Sequence, residues 1–254
     1  MNARDQRHQI VLNILHERGR VEVTELRETL GVTEMTIRRD LEILEADGAL
    51  KRVHGGATLP IGSGFEPPFS ARRKIHVEAK ESIARLVSDA ISDGDTILLD
   101  GGSTGLAVAH ALFSRVLTIC PLSLRAATFL ATSPTINLRV PGGAVRQGEQ
   151  SFIGADVTDY LDAHNFDHYV MTASGVSVRG GITEWNPEDA AVKRKALQSS
   201  ANIIAAADAS KFGRTGFVRI CSIETPNVIF TDKTLSDTDL ETVSEHGARV
   251  IRAQ

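Results

Sequence analysis

Residues 33–48, with the sequence TEMTIRRDLEILEADG, restrict the fold more than any other stretch because their apolar residues recur at helical spacing. Apolar residues three and four positions apart lie on one side of a helix, where they are buried. Here they are Ile37, Leu41 and Leu44. The hydroxyl of Thr33 can cap the start of such a helix, and Gly48 stands where a helix ends. The stretch therefore predicts one amphipathic helix with a buried stripe.

The opposite face of this predicted helix is polar, and its first half carries a hydroxyl and two guanidinium groups. The outward residues are Met35, Thr36, Arg38 and Arg39. A helix that presents threonine and arginine near its N-terminus is suited to reading base edges in the major groove of DNA. We therefore predict DNA contact for these residues and for Thr33. An amphipathic helix with a solvated charged face is the alternative that this stretch alone leaves open.

The segments on either side of this helix predict a winged helix-turn-helix. Residues 4–18 predict a helix with Ile10 facing inward, and a second helix follows with Thr24 as its cap. After the third helix, residues 50–59 alternate apolar and polar side chains around two glycines, which is typical of a β-hairpin. Cationic residues of this hairpin would contact DNA phosphates. They are Lys51, Arg52 and His54.

The net charge gives no independent support for DNA binding. The chain has a formal charge of −4, and its first 59 residues carry about as many acidic as basic side chains. Many DNA-binding domains are basic, so the prediction rests on where the cations fall, namely on one helix and one hairpin. Few phosphate contacts per protomer imply modest affinity. We therefore predict that the chain binds double-stranded DNA as a homo-oligomer, a dimer or a tetramer.

The hydrophobic content, the N-terminus and the cysteines indicate which compartment and which cofactors to expect. Of the 254 residues, 42% are hydrophobic and 24% charged, as in globular proteins. No run approaches the roughly 20 apolar residues of a membrane span, and the N-terminus lacks the apolar segment of an export signal. The two cysteines, Cys120 and Cys221, lack metal-binding spacing. We expect a cytoplasmic protein with reduced thiols, no metal and no membrane partner.

A second domain is predicted after residues 60–69, a proline- and glycine-rich stretch without periodicity that we interpret as a linker. Beyond it, short apolar runs alternate with segments of helical spacing, which predicts an α/β fold with a doubly wound, mostly parallel sheet and helices on both faces. The predicted domains therefore cover residues 1–59 and 70–254. The predicted strands are residues 96–99, 116–119, 136–140, 169–172, 203–206 and 228–230. The predicted helices are residues 77–92, 106–113, 123–131, 188–200 and 236–246.

A glycine-rich loop follows the first of these strands and is the best candidate for a ligand site. It consists of Asp100, Gly101, Gly102, Ser103 and Thr104. Glycines let backbone amides turn toward one point, and the hydroxyls and the N-terminus of the next helix favour a phosphate. The loop matches neither the Walker A nor the GxGxxG pattern, so we expect no nucleotide cofactor. A capped glycine-rich turn without a ligand is the alternative.

Other strand ends add polar and flexible residues that would meet at the same edge of the sheet, where ligands of such folds bind. Cations there can neutralise a phosphate, and carboxylates can accept hydrogen bonds from hydroxyls. The predicted additional ligand contacts are Gly143, Arg146, Lys193, Asp208 and Lys211.

Motifs in both domains resemble one family, the DeoR family of bacterial transcriptional regulators. The N-terminal likeness runs without a gap over residues 21–57 and includes TIRRDL and HGGA; the C-terminal likeness includes DGGST, PGGAVR, DASKFG and FTD. The family's effector domain is related to sugar-phosphate isomerases of the ribose-5-phosphate isomerase and glucosamine-6-phosphate deaminase type. The resemblance implies a repressor of a sugar or polyol catabolic operon that binds operator DNA and is controlled by a phosphorylated sugar or polyol.

The resemblance also assigns roles within the pocket. It implies that the residues from Asp100 to Thr104 form the phosphate loop, and that Gly143, Lys193 and Lys211 line the crevice. One departure stands out. Where such regulators usually carry Thr-Asn after the second strand, this chain has Pro121 and Leu122. We therefore expect the sugar end of the pocket to be more apolar and its ligand to be unusual.

Two other functions remain open at this point. The chain could be a sugar-phosphate isomerase or deaminase in which Glu184, Asp208 or Lys211 moves a proton beside a carbonyl. The sequence shows no paired acid and base, so we predict no catalytic residue and no enzymatic activity. Alternatively, the large domain could serve only for oligomerisation, in which case no sugar phosphate would raise the melting temperature.

Overall fold

The chain divides into two compact units, Met1–Val77 and Glu78–Gln254. The computed structural model describes residues 3–46, 48–59 and 65–254. Residues 60–64 of the predicted linker lie outside the described residues, residues 65–68 have no regular structure, and Phe69 begins a helix. The helix that begins there contributes Ala71 to the core of the first unit, and Ile75 follows it into the same core.

The first unit is a winged helix-turn-helix, as the sequence predicts. Its helices are α1 (Ala3–Arg18), α2 (Val23–Leu30), α3 (Glu34–Ala46) and α4 (Phe69–Lys74). Its strands are β1 (Arg20–Glu22), β2 (Lys51–Val53) and β3 (Gly56–Thr58). Strands β2 and β3 form the predicted hairpin, and β1 joins it to give an antiparallel sheet in the order β1-β3-β2. The sheet and helices enclose one apolar core.

Two predicted details of this unit are wrong. Ile10 is 42% exposed, because the buried side of α1 is formed by His8, Val11, Leu12 and Leu15, and Ile10 lies off that stripe. Thr24 does not cap α2, because the helix already begins at Val23. The N–H of Val23 is satisfied by the carbonyl of Gly55 in the hairpin turn, at 2.9 Å, instead of by a side chain.

The second unit is built on a seven-stranded sheet in which every strand pairing is parallel, and this confirms the predicted fold class. From one edge to the other the strands are β15 (Val250–Arg252), β14 (Val228–Thr231), β12 (Ser200–Ala206), β9 (Phe166–Thr172), β4 (Thr96–Leu99), β5 (Thr118–Pro121) and β6 (Asn137–Leu138). The helices are α5 (Val77–Asp89), α6 (Gly102–Leu112), α7 (Leu124–Leu130), α8 (Ala155–Asp162), α9 (Pro187–Gln198) and α10 (Asp237–Glu245).

Helices cover both faces of this sheet, since successive residues of its strands point into two different cores. Leu98 packs with residues of α8 and α9, whereas its neighbours Ile97 and Leu99 pack with α5 and α6. Side chains that alternate between two apolar layers explain why the strands are apolar throughout. In the described part of the chain, no helix combines the length and the apolar character that crossing a bilayer requires.

The structure also contains elements that the sequence pattern does not predict. A small antiparallel sheet has the order β10 (Gly175–Ser177), β11 (Gly181–Glu184) and β13 (Val218–Cys221), and a hairpin joins β7 (Ala144–Val145) to β8 (Phe152–Ile153). These strands have two to four residues, which is too short to show the alternation of apolar and polar side chains that identifies a strand. Glycine also begins two of them, and glycine is depleted in strands.

Candidate functional site

Helix α3 has the two faces that its sequence predicts. Ile37, Leu41 and Leu44 are at most 2% exposed. Thr33 precedes the helix, and its Oγ1 accepts a hydrogen bond from the backbone N–H of Thr36 at 3.2 Å. The two threonine hydroxyls lie 2.9 Å apart. Both hydroxyls are therefore held at the first turn, beside the outward face of the helix.

The outward face of α3 presents one apolar and two cationic side chains. Met35 is 75% exposed, which is unusual for a residue of its size and apolar character. Arg38 forms an ion pair with Glu34 at 3.0 Å, one turn earlier on the helix. Arg39 is exposed and makes no ion pair within the described residues. Among the described residues, no carboxylate competes with an outside partner for its guanidinium.

Arg52 of the hairpin contacts two glutamates of α3. Nη1 of Arg52 lies 3.0 Å from a carboxylate oxygen of Glu42, and the backbone N–H of Arg52 donates to Glu45 at 2.8 Å. Lys51 and His54 are exposed on the same hairpin. These contacts link the hairpin to the outward side of α3.

Several of these residues border a concavity of about 570 Å³ in the first unit, whereas Thr33, Lys51 and His54 are not among its lining residues. Five arginines and two carboxylates line it, which leaves an excess of three positive charges on a unit whose sequence is not basic. The lining residues are Arg4, Arg7, Met35, Thr36, Arg38, Arg39, Asp40, Glu42 and Arg52. The sequence pattern does not single out Arg4, Arg7 and Asp40, because helical periodicity carries no information on contacts between α1 and α3.

In the second unit, Asp100 connects the glycine-rich loop to two other elements. Its carboxylate accepts hydrogen bonds from the N–H of Gly101 at 2.8 Å and from the N–H and hydroxyl of Thr172 at 2.8 and 2.9 Å. It also lies 2.9 Å from Nζ of Lys193 on α9. The side chain therefore fixes the glycine-rich loop to the neighbouring strand β9 and to α9.

The glycine-rich loop leads directly into α6. Gly102 has a φ of +82°, which favours glycine because other residues meet steric strain there. Gly101 precedes α6, so no side chain caps the first turn of this helix. The backbone N–H groups of that turn have no partner within the helix. Ser103 and Thr104 are nearly buried, and their hydroxyls make no hydrogen bond within the described part of the chain. Donors of this kind are suited to binding an anion.

A buried ionic cluster lies next to the loop. Lys193 is 5% exposed and contacts Asp100 and Glu184, and its Nζ donates to the carbonyl of Thr172 at 3.0 Å. Burial alone would raise the pKa of Glu184, but Lys193 and the hydroxyl of Ser174 hold it below its usual value. Burial likewise opposes the charge of Lys193, yet the two carboxylates raise its pKa. Glu184 and Lys193 thus both stay ionised in spite of their burial.

The other predicted ligand contacts are distributed around this cluster. Nη2 of Arg146 lies 2.6 Å from Asp189, one turn before Lys193 on α9. Nζ of Lys211 lies 5.3 Å from the centre of the Trp185 ring, next to Glu184. Asp208 accepts hydrogen bonds from Ser210, and so begins a short 3₁₀ helix, Ala209–Lys211.

Gly143 packs away from the cluster. A Cβ atom there would lie 2.9 Å from Val157 and 3.1 Å from the carbonyl of Ile153, so this glycine permits close contact with α8 and β8. The strand end with Pro121 and Leu122 lies beside the loop, since Pro121 pairs with Leu99. Both residues are buried, and Leu122 belongs to the apolar core.

Comparison with known proteins gives matches over both units. A family model described as DeoR C terminal sensor domain matches residues 75–233, and one described as DeoR-like helix-turn-helix domain matches residues 7–61. The glycerol-3-phosphate regulon repressor of Escherichia coli (strain K12) is 31% identical over 95% of this chain and 96% of that protein. The HTH-type transcriptional repressor GlcR of Bacillus subtilis (strain 168) is 30% identical over 97% of this chain and 95% of that protein.

Among solved structures, ribose 5-phosphate isomerase A of Methanocaldococcus jannaschii matches 54% of each chain with a TM-score of 0.40 and 18% identity.

Proposed function

Because the chain belongs to the DeoR family of transcriptional regulators, we propose that it represses a sugar or polyol catabolic operon and that a phosphorylated sugar or polyol controls its binding to operator DNA. Its relatives are named as transcriptional repressors, which supports repression over activation. The same relationship confirms the prediction of a regulator over that of an isomerase or deaminase.

The observation that carries the DNA-binding half of the proposal is the cationic concavity around α3. Thr36, Arg38 and Arg39 face it from the first half of the helix, where helix-turn-helix proteins contact bases. Arg39 is our first choice for a bidentate guanine contact because no carboxylate of the described residues pairs with it. Lys51, Arg52 and His54 would contact phosphates from the hairpin, and Thr33 and Met35 would complete the surface.

We expect the Arg39→Ala variant to lose sequence discrimination at one base position, by about 1–3 kcal/mol, since a bidentate arginine–guanine contact contributes that much. Arg38→Ala should have a smaller effect, because Arg38 must first release Glu34. The measurement is fluorescence anisotropy with a duplex of the protein's own promoter region and with singly substituted duplexes. Arg20→Ala, which removes a charge from β1 outside the concavity, is the control. Unchanged affinity and sequence preference in both variants would exclude the assigned role of α3.

For the effector, we propose that the first turn of α6 binds the phosphate group. Uncapped backbone N–H groups and the hydroxyls of Ser103 and Thr104 support this, together with the positive end of the helix dipole. Lys193 acts indirectly here, because its charge is already neutralised by Asp100 and Glu184. The carboxylates of this cluster would accept hydrogen bonds from sugar hydroxyls. Lys211 would supply positive charge at the rim, and Asp208 would help to shape it. Arg146 would act indirectly, because Asp189 already neutralises it, and Gly143 would contribute only by allowing α8 and β8 to pack closely.

This arrangement predicts that only anionic ligands stabilise the protein. A phosphorylated sugar or polyol at 100 times its Kd should add about 2.7 kcal/mol to the free energy of unfolding, whereas the unphosphorylated compound should add nothing. The measurement is a thermal-shift screen of matched phosphorylated and neutral compounds. A Ser103→Ala/Thr104→Val double variant, close in size to the original, should lose most of the shift. Equal shifts with neutral sugars would contradict the phosphate assignment.

We also propose that the protein acts on DNA as a dimer or tetramer in the cytoplasm. Helix-turn-helix proteins gain affinity when two units contact half-sites about one helical turn apart. The few cations on the concavity of a single protomer favour such an arrangement, because each phosphate contact adds only a limited increment of affinity.

A further inference from the structure

Helix α1 contributes two arginines to the concavity that α3 and the hairpin form. Arg4 is exposed and makes no ion pair within the described residues. Arg7, one turn further along, is half-buried, and its guanidinium contacts Asp40. Both side chains line the same space as the outward face of α3. A third element of the first unit therefore faces the surface that we assign to DNA.

Asp40 links this part of α1 to α3 through buried contacts. It is 2% exposed, and its Oδ1 lies 3.0 Å from Nη2 of Arg7 and 3.0 Å from Nε2 of His8. Burial alone would raise the pKa of Asp40, but hydrogen bonds from Arg7 and His8 hold it below its usual value. The carboxylate thus stays charged and fixes the position of the Arg7 guanidinium.

The contact with Asp40 leaves Arg7 able to bind a second anion. A guanidinium has five N–H donors, and Asp40 engages two of them, one on Nε and one on Nη2. Three donors remain without a partner among the described residues. Asp40 also directly follows Arg39 in the sequence, and both residues line the concavity. The carboxylate therefore sets the position of Arg7 relative to the helix that carries the base-reading residue.

We propose that Arg4 and Arg7 bind DNA phosphates that flank the groove entered by α3, and that Asp40 positions Arg7 for this contact. The inference rests on the proposed DNA binding and extends it to α1. A phosphate is the expected partner because the cations lie near the N-terminus of a 16-residue helix, whose dipole favours anions. Because Asp40 fixes the guanidinium of Arg7, this side chain is also better suited to the DNA backbone, which is the same for every base sequence, than to base edges.

The test measures how affinity depends on salt, with the full-length protein and two duplexes of equal length. One carries the protein's own promoter region and the other a scrambled sequence. The slope of log K against log salt falls by about 0.9 for each phosphate that the protein no longer neutralises. We expect Arg4→Ala and Arg7→Ala each to reduce the slope by about this amount per bound protomer, and to weaken binding to both duplexes by the same factor. Arg39→Ala should instead weaken binding mainly to the promoter duplex.

The role of Asp40 is tested with Asp40→Asn, alone and combined with Arg7→Ala. If Asp40 acts through Arg7, the single variant reduces the slope as Arg7→Ala does, and the double variant reduces it no further. Melting temperatures identify variants that do not fold. Arg4→Ala keeps the test decisive in that case, since Arg4 holds no buried partner within the described residues. Arg20→Ala is the control, with an unchanged slope.

Wild-type slopes for folded Arg4→Ala and Arg7→Ala would overturn the inference while leaving the proposed function intact. Failure of the wild-type protein to bind either duplex would overturn the proposed function, and this inference with it.

Discussion

Replacing Lys193 by methionine is expected to lower the free energy of unfolding of the second unit by about 3–5 kcal/mol, the usual cost of removing one partner from a buried ion pair. Methionine fills a similar volume but leaves Asp100 and Glu184 close together without a cation. The hydrogen bond to the Thr172 carbonyl is removed as well. Each of these changes leaves a desolvated group without its partner, so the effects act in the same direction.

Urea denaturation followed by the fluorescence of Trp185 measures this effect. Trp185 is the single tryptophan of the chain and its backbone N–H donates to Glu184 at 2.7 Å, so its emission reports on the second unit. The control is Lys195→Met on the same helix, whose ion pair with the exposed Asp162 is worth at most about 1 kcal/mol.

A second variant separates the effect of charge balance from the effect of packing. Lys193→Met combined with Glu184→Gln removes one of the two unbalanced charges, so it should recover part of the stability. If Lys193→Met is as stable as Lys195→Met, the cluster does not stabilise the second unit, and the ionised state assigned to it is wrong.

The Gly105→Ala variant is expected to be destabilised by about 1–3 kcal/mol or more, as overpacked sites commonly are. In an open helix the same substitution would stabilise by up to about 1 kcal/mol, because alanine is the better helix former. Here the added Cβ would lie 2.2 Å from the carbonyl oxygen of Asp100 and 3.0 Å from its carbon. Neither is the end of a flexible side chain, so the glycine-rich loop or α6 must move.

Gly101→Ala, in the same loop, is the matched control. Its Cβ would meet Ser123 at an ordinary distance of 3.6 Å, and its φ of −77° suits any residue. We expect a change within about 0.5 kcal/mol, as for substitutions away from special features. Gly105→Ala should also weaken the thermal shift by sugar phosphates, since the moved backbone carries the proposed phosphate donors. A Gly105→Ala protein more stable than wild type would show that the loop and α6 are not packed as described.

Regular apolar spacing made the main elements predictable from sequence. All three apolar residues of the predicted α3 stripe are buried, and strand β4 ends where its apolar run ends. Helix α1 was harder, because Ile10 and Val11 are both apolar and only packing against the other elements selects Val11 for the core. The short antiparallel strands were missed because segments of two to four residues carry no measurable period.

The partners of the charged groups could not be predicted, because they depend on contacts between distant parts of the chain. Asp40 is 33 residues from Arg7, and its position on α3 is compatible with an exposed polar side chain. Lys193 was predicted as a cation that faces a phosphate. Spacing in the sequence does not indicate that Asp100 and Glu184, which come from two other elements, already neutralise it.

Besides Arg7, whose partner Asp40 is buried, two arginines of the cationic concavity already hold exposed carboxylates of α3: Arg38 contacts Glu34, and Arg52 contacts Glu42. Contact with DNA therefore exchanges one anion for another at each of these positions, so the gain in free energy is only the difference between the two. We expect polyanions of lower charge density to compete less well for these arginines than duplex DNA, which carries one charge per roughly 1.7 Å of its axis. The acidic residues that make this unit look unsuited to DNA would thereby limit which polyanions it holds.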